Sequence, residues 1–128
     1  MQISQKALIK KSDKYLILLR SDNHPVFGGY WDLPGGRLED GEELEEGLKR
    51  EVNEETSLDI DVSDRIFKPE MTVFDKPTTF YVYEIANYSG AVTLSKDHSE
   101  FRWVTVKELK KMLIFPYILV LLKHHILK

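Results

Sequence analysis

A chain of 128 residues, 42% hydrophobic and 30% charged, is long enough to bury a core and is expected to fold as one domain spanning residues 1–128. Its net charge of −3 argues against a general nucleic-acid binder, which carries a basic surface, but not against a small anionic substrate held by a local metal. With no cysteine, disulfides and thiolate metal sites are excluded. The N-terminal "MQISQKALIKK" lacks the apolar core of a signal peptide. The longest apolar run, Met112 to Leu122, is too short to span a bilayer and contains Pro116, so it reads as core helix rather than membrane segment. The cytoplasm is the expected compartment, with no nucleic acid or membrane as partner and the oligomeric state left open.

In chain order, "ISQKALIKK" and "KYLILLR" read as two strands joined by a polar turn at "SDK". The stretch Ser21 to Gly36, rich in Gly and Pro, is loop-like, with "YWDL" as a short strand inside it. From Glu42 to Thr56 there is no proline and one glycine, and Leu44, Leu48 and Val52 recur at every fourth position, which predicts a helix with a narrow apolar stripe. "LDIDVSDRIF", "EMTVF", "TTFYVYEIA" and "FRWVTV" are dominated by β-branched and aromatic residues and read as strands. "KELKKML" and "PYILVLLKHHILK" read as helices, the second with Pro116 in its first turn. The order predicts an α/β protein with helices packed on a mixed sheet.

The predicted helix crowds glutamates. At about 100° per residue, Glu51 and Glu55 fall beside the apolar stripe, while Glu46, Lys49 and Asn53 face water. Solvation explains Glu43, Glu45 and Glu46. It does not suit Glu51 and Glu55, because half-buried carboxylates must take up a proton or find a cation. A hard divalent ion such as Mg²⁺ is suited to clustered carboxylate oxygens. The preceding "PGG" is a tight turn whose backbone can approach a ligand closely.

From Gly36 to Leu58, "GRLEDGEELEEGLKREVNEETSL" resembles the signature of the Nudix hydrolases: Gly, five residues, Glu, seven residues, Arg-Glu, an aliphatic, any residue, Glu-Glu, any residue, Gly, an aliphatic. Gly36, Glu42, Arg50, Glu51, Val52, Glu54, Glu55 and Leu58 match, and Ser57 stands where the pattern has glycine. The resemblance implies an α/β/α sandwich with a mixed central sheet and Mg²⁺- or Mn²⁺-dependent hydrolysis of a nucleoside diphosphate linked to some group X. It implies Glu51, Glu54 and Glu55 as metal ligands with the carbonyl near Gly36, Arg50 as the arginine that orients a carboxylate of the cluster, and Glu42 either at the helix entrance or reaching the site through water. The general base is Glu51 or an acid of a later loop, which "KDHSEFRW" resembles, offering Asp97 or Glu100; a loop histidine such as His98 is expected to be solvated. His124 and His125 are not expected to be ligands.

Aromatic surface is expected to meet the nucleobase. Phe27, Tyr30 and Trp31 before the signature, and Phe74, Phe80 and Tyr81 on later strands, are the candidates, with core packing the competing role for each. Arg20 is a candidate phosphate contact. A nucleoside triphosphate is the first expected substrate; a nucleotide sugar, ADP-ribose, a dinucleoside polyphosphate and a non-catalytic nucleotide-binding module are the alternatives.

Overall fold

A computed structural model describes every residue except Met1, Val26 and Lys128, so the expected loop at Val26 and the expected helix at Lys128 lie outside the described residues at those positions. Strand β1 (Gln2–Leu8) runs parallel to the long β8 (Lys76–Ser89), pairing Gln2 with Thr78 through Leu8 with Glu84. The other edge of β1 takes the short β5 (Gly35–Arg37) antiparallel. The other edge of β8 takes β6 (Asp59–Phe67) and then β7 (Glu70–Val73), both antiparallel. The sheet is therefore mixed, as expected.

A second, antiparallel sheet is centred on β3 (Lys14–Arg20), with β9 (His98–Val104) on one edge and β2 (Lys10–Lys11) and β4 (Trp31–Asp32) on the other. The expected strand Ile3 to Lys11 is thus two strands broken at Ile9, which serve different sheets. The turn at Ser12 and Asp13 closes the β2–β3 hairpin, with Ser12 left-handed (φ 56°).

Alternation along the strands makes both faces apolar. Ala7, Ile9, Leu16, Leu18 and Tyr83 point to one side, where Leu48 and Val52 of helix α1 (Leu44–Thr56) cover them. Leu8, Tyr15, Ile17, Phe80 and Val82 point to the other, packing on α2 (Val106–Leu109) and α3 (Pro116–Lys123) through Leu109, Tyr117, Ile118 and Leu121. Sheets between helices make an α/β/α sandwich.

The apolar stripe of α1 and several element boundaries differ from the expectation. Leu44 is half exposed, and the buried stripe of α1 is Gly47, Leu48, Val52 and Thr56. The segment Lys107 to Leu113 is helical only to Leu109, and α3 ends at Lys123, followed by a turn in which His125 is left-handed. "PGG", expected as a turn, contributes Gly35 and Gly36 to β5. At Gly35 (φ 134°) a side chain would collide with the Gln5 carbonyl, so glycine is what lets β5 lie this close to β1.

Candidate active site

Helix α1 stops where Ser57 turns left-handed (φ 65°, ψ 11°) and its N–H returns to the Asn53 carbonyl. The last turn also anchors the loop that precedes β9: the Glu55 carbonyl accepts from Ser95 N–H and the Thr56 carbonyl from Thr93 N–H. That anchoring brings Asp97 and His98 over the glutamates of α1. A cavity of about 390 Å³ opens there, lined by Glu51 and Glu55 from α1, Gly35 and Gly36 from β5, Lys6, Arg20, Asp97, His98 and Phe80. A cleft of about 500 Å³ along β9 and α2 is larger, but Glu108 is the one acid in its wall. Volume alone does not choose the site; the chemistry of the lining does.

Glu55 Oε1 accepts the Gly35 N–H at 2.7 Å, and its Oε2 lies 3.9 Å from His98 Nε2. Burial pushes its carboxyl up to about 8. Glu51 is also pushed up by burial, against the opposing pull of Arg50. These are carboxylates whose surroundings do not fully support their charge. His98 is buried, contrary to the solvated position expected for it; burial lowers its imidazole to about 4, and its buried Nδ1 has no partner among the described residues.

Arg50 hydrogen-bonds three acids and lies 3.5 Å from a fourth, Glu39. It gives Glu42 two bonds (2.6 and 2.9 Å), Glu51 one at 3.0 Å, and both oxygens of Glu54 at 3.1 Å. Hydrogen bonding from Arg50, then from the Glu39 N–H, holds the Glu42 carboxyl at about 2. Glu42 therefore fastens the helix entrance to the arginine.

Glu51, Glu55 and the nearby backbone carbonyls offer hard oxygens, with the imidazoles of His24 and His98 also in the wall, and Glu51 and Glu55 are left short of positive charge, which fits a divalent cation. Among the described residues, however, no three acidic or histidine side chains converge on one point, because Glu54 is exposed and turned to Arg50. Glu51 and Glu55 with the nearby backbone would hold the ion, and Glu54 joins them only by leaving Arg50.

The family model for the NUDIX domain matches residues 4–121. The chain belongs to the Nudix hydrolase family. It is an enzyme that hydrolyses phosphoric anhydride bonds. Among Nudix relatives, the nucleoside triphosphatase NudI of Salmonella agona (strain SL483) is 27% identical over 113 residues, covering 80% of each chain. The MutT protein from Methanosarcina mazei Go1 superposes with a TM-score of 0.83 at 33% identity, over 91% of this chain and 86% of that one. An Ap4A hydrolase from C. elegans shares the fold at TM-score 0.74 and 20% identity, over 96% of this chain and 93% of that one. No helix of the described residues is long and apolar enough to cross a membrane.

Of the residues expected at this Nudix site, Gly36, Glu51, Glu55, Asp97, Arg20 and Phe80 meet at one cavity. Glu100 does not: it lies on β9 beside Leu19, ion-paired to Arg102 at 3.0 Å. Trp31 is buried in the helical core, hydrogen-bonded through its backbone to Leu113 and Phe115, and is not among the cavity residues. Phe27 packs against Phe115, a cavity residue, with ring centroids 4.4 Å apart, so it stands one ring back from the wall. Lys6, which lines the cavity, and Asp32 and Tyr117 bonded behind it were not expected to take part. Their signal was a charge inside each of two apolar strands, "KALI" and "YWDL".

Proposed function

We propose that this enzyme cleaves a phosphoric anhydride bond of a nucleoside triphosphate in the cytoplasm, with Mg²⁺, or Mn²⁺ in its place, bound by Glu51, Glu55 and the Gly36 carbonyl, and by Glu54 once it leaves Arg50. The observation that carries this reading is the pairing of two under-neutralised carboxylates with the cations Lys6, Arg20 and Arg37 in one cavity of about 390 Å³. Such a site has room for a nucleotide, and its two signs of charge suit a metal and a phosphate chain together. The NudI relative, named a nucleoside triphosphatase and matched over 80% of both chains, supports the triphosphate.

What a divalent cation supplies in this donor set is neutralisation of phosphate charge and a more acidic bound water. The side chains do the rest. Arg50 fixes Glu51, the Gly35 N–H fixes Glu55, and the basic wall draws the phosphates in. Asp97, on the loop anchored to α1, takes the proton of the attacking water, while His98 beside it, held neutral by burial, adds no further charge to the cations of the wall.

The test is a panel of purified nucleotides with Mg²⁺: ribo- and deoxyribonucleoside triphosphates, an 8-oxo-purine triphosphate, ADP-ribose, a nucleotide sugar and a dinucleoside tetraphosphate. All products are separated and quantified, because only the triphosphates release phosphate or pyrophosphate, whereas ADP-ribose and a nucleotide sugar yield a monophosphate and a sugar phosphate and the dinucleoside tetraphosphate yields two nucleotides. Triphosphates should give the highest kcat/KM and chelation of the metal should abolish turnover. A hundredfold preference for any of the other three would overturn the substrate assignment.

A further inference from the structure

Asp32 is fully buried, and each of its oxygens receives two hydrogen bonds. Oδ2 accepts from Lys6 Nζ at 2.8 Å and Arg20 Nη1 at 2.9 Å; Oδ1 accepts from the Leu33 N–H at 2.8 Å and from the Tyr117 hydroxyl. A carboxylate has room for about four such bonds, so Asp32 is saturated and turns no free oxygen toward substrate or metal. It balances one positive charge, yet it holds two cations.

Lys6 is the informative partner. Only 4% of its side chain is exposed, and it lines the cavity that contains Glu51 and Glu55. An ammonium has three donors. Two are used, on Asp32 and, at 3.3 Å, on the Gly35 carbonyl. The third has no acceptor among the described residues. Glu51 and Glu55 do not take it: Lys6 makes its one ion pair with Asp32, while Glu51 is paired with Arg50. A buried ammonium that lines a cavity with a donor unfilled is a site for an anion.

We infer that Lys6 donates to a non-bridging oxygen of the substrate's phosphate chain, and that Asp32, fixed by Tyr117, is the positioning residue that holds Lys6 and Arg20 ready for it. This rests on the proposed reading of the cavity as the place where a phosphoric anhydride is cleaved. Free ammonium and guanidinium side chains would each have to be ordered when substrate binds; the saturated carboxylate orders both in advance.

Wild-type turnover on the nucleotide panel tests the triphosphate reading by itself. Variants are then compared with wild type on whichever nucleotide it cleaves fastest, so the two ideas can fail separately. Lys6→Gln should raise KM at least tenfold while kcat stays within about threefold. Lys6→Met, which keeps the aliphatic stem, should give the same split if the amide is poorly tolerated. Asp32→Asn should also raise KM, and the Lys6→Gln/Asp32→Asn pair should be less than the product of the two single effects, because Asp32 acts partly through Lys6. Tyr117→Phe, which removes one of the four contacts on Asp32, gives a milder rise in KM and replaces Asp32→Asn if that variant does not fold. A folded Lys6→Gln or Lys6→Met enzyme with KM within twofold of wild type would overturn the phosphate contact. Multiplicative effects in the double variant would overturn the positioning role.

Discussion

Gly36 and Glu51 fit together only because Gly36 has no side chain: Glu51 Oε2 lies 2.7 Å from the point where a Cβ on Gly36 would stand. The close approach noted in the sequence at "PGG" is therefore made first to the protein's own carboxylate. The first prediction follows. In Gly36→Ala the obstacle is the end of a flexible side chain, so the fold should tolerate the methyl, with stability changed by less than about 1 kcal/mol. The carboxylate must move, however, and misplacement of about 1 Å is enough to cost one to two orders of magnitude in rate. A thermal melt and a kcat on the best nucleotide separate the two effects. Unchanged kcat would mean that the position of Glu51 does not matter.

Arg50 and Glu54 give the second prediction. Their contact is exposed, and a surface pair of this kind contributes at most about 1 kcal/mol. Glu54→Gln should therefore barely alter the melt. If Glu54 leaves Arg50 to bind the ion, turnover at saturating Mg²⁺ should fall by about two orders of magnitude. Arg50→Lys should also lose tenfold or more, because a single ammonium cannot span Glu42, Glu51 and Glu54 as the guanidinium fork does. Near-wild-type turnover in Glu54→Gln would remove Glu54 from the metal site.

Ser57 gives the third. It is the one position that departs from the signature, and it adopts the left-handed geometry that glycine takes without penalty. Serine there bears strain of roughly 1 kcal/mol, while its hydroxyl recovers only a long contact of 3.4 Å with the Thr93 carbonyl. Ser57→Gly should raise the denaturant midpoint by the equivalent of a few tenths to about 1 kcal/mol. Turnover should stay within a few-fold, since no carboxylate depends on Ser57. A hundredfold gain in turnover would make the serine a catalytic defect.

These residues also show what could be read from the sequence. Helix α1 was legible because Leu48 and Val52 recur at the helical period, and the same wheel put Glu51 and Glu55 beside the apolar face. Local order writes itself as local pattern. The strand β5 was hidden because Gly-Gly has no β-forming side chain; its pairing is imposed by β1, thirty residues earlier in the chain. Lys6 and Asp32 were invisible as a pair for the same reason, since 26 residues separate them and only the fold closes the gap. His98 looked like a solvated loop residue, and its burial comes from the backbone bonds that tie its loop to the end of α1. Glu100 was two residues on from His98 in a segment read as loop. The structure makes it strand, and the alternation of β9 carries its side chain to Arg102 instead.

His98 gives the fourth prediction. Its imidazole, lowered from 6.5 to about 4 by burial, stays neutral in the fold while the unfolded chain takes up a proton. Above pH 6.5 both states are neutral and the group has no effect on stability. As pH falls from 6.5 toward 4, protonation favours the unfolded chain and stability is lost, by at most about 1.4 kcal/mol per pH unit. Denaturant midpoints of wild type and His98→Gln, measured from pH 7 to pH 4.5, should converge as the pH falls. Parallel curves would show that His98 is accessible to water and protons in the native state.

Glu55 acts with the opposite sign and in a higher window. Burial raises its carboxyl from 4.5 to about 8, so the fold keeps a proton that the unfolded chain has released. Below pH 4.5 both states are protonated. From 4.5 to 8 the unfolded chain ionises first, and the stability of metal-free protein falls as pH rises; above 8 that loss is complete. His98 is silent above 6.5, so it drops out of the interval from 6.5 to 8; because burial also raises Glu51, the Glu55→Gln variant is what assigns the slope there to Glu55. In chelator, the denaturant midpoint should drop across that interval, and Glu55→Gln should flatten the drop because a neutral amide has no proton to release. On the proposed reading, Mg²⁺ competes with the proton for the same carboxylate. Its addition should therefore raise the wild-type midpoint more at pH 8 than at pH 6, and should do so weakly or not at all in Glu55→Gln. A midpoint that rises equally with Mg²⁺ in both proteins would place the ion away from Glu55, and an equal pH slope in both would show that the buried carboxyl is already ionised at neutral pH.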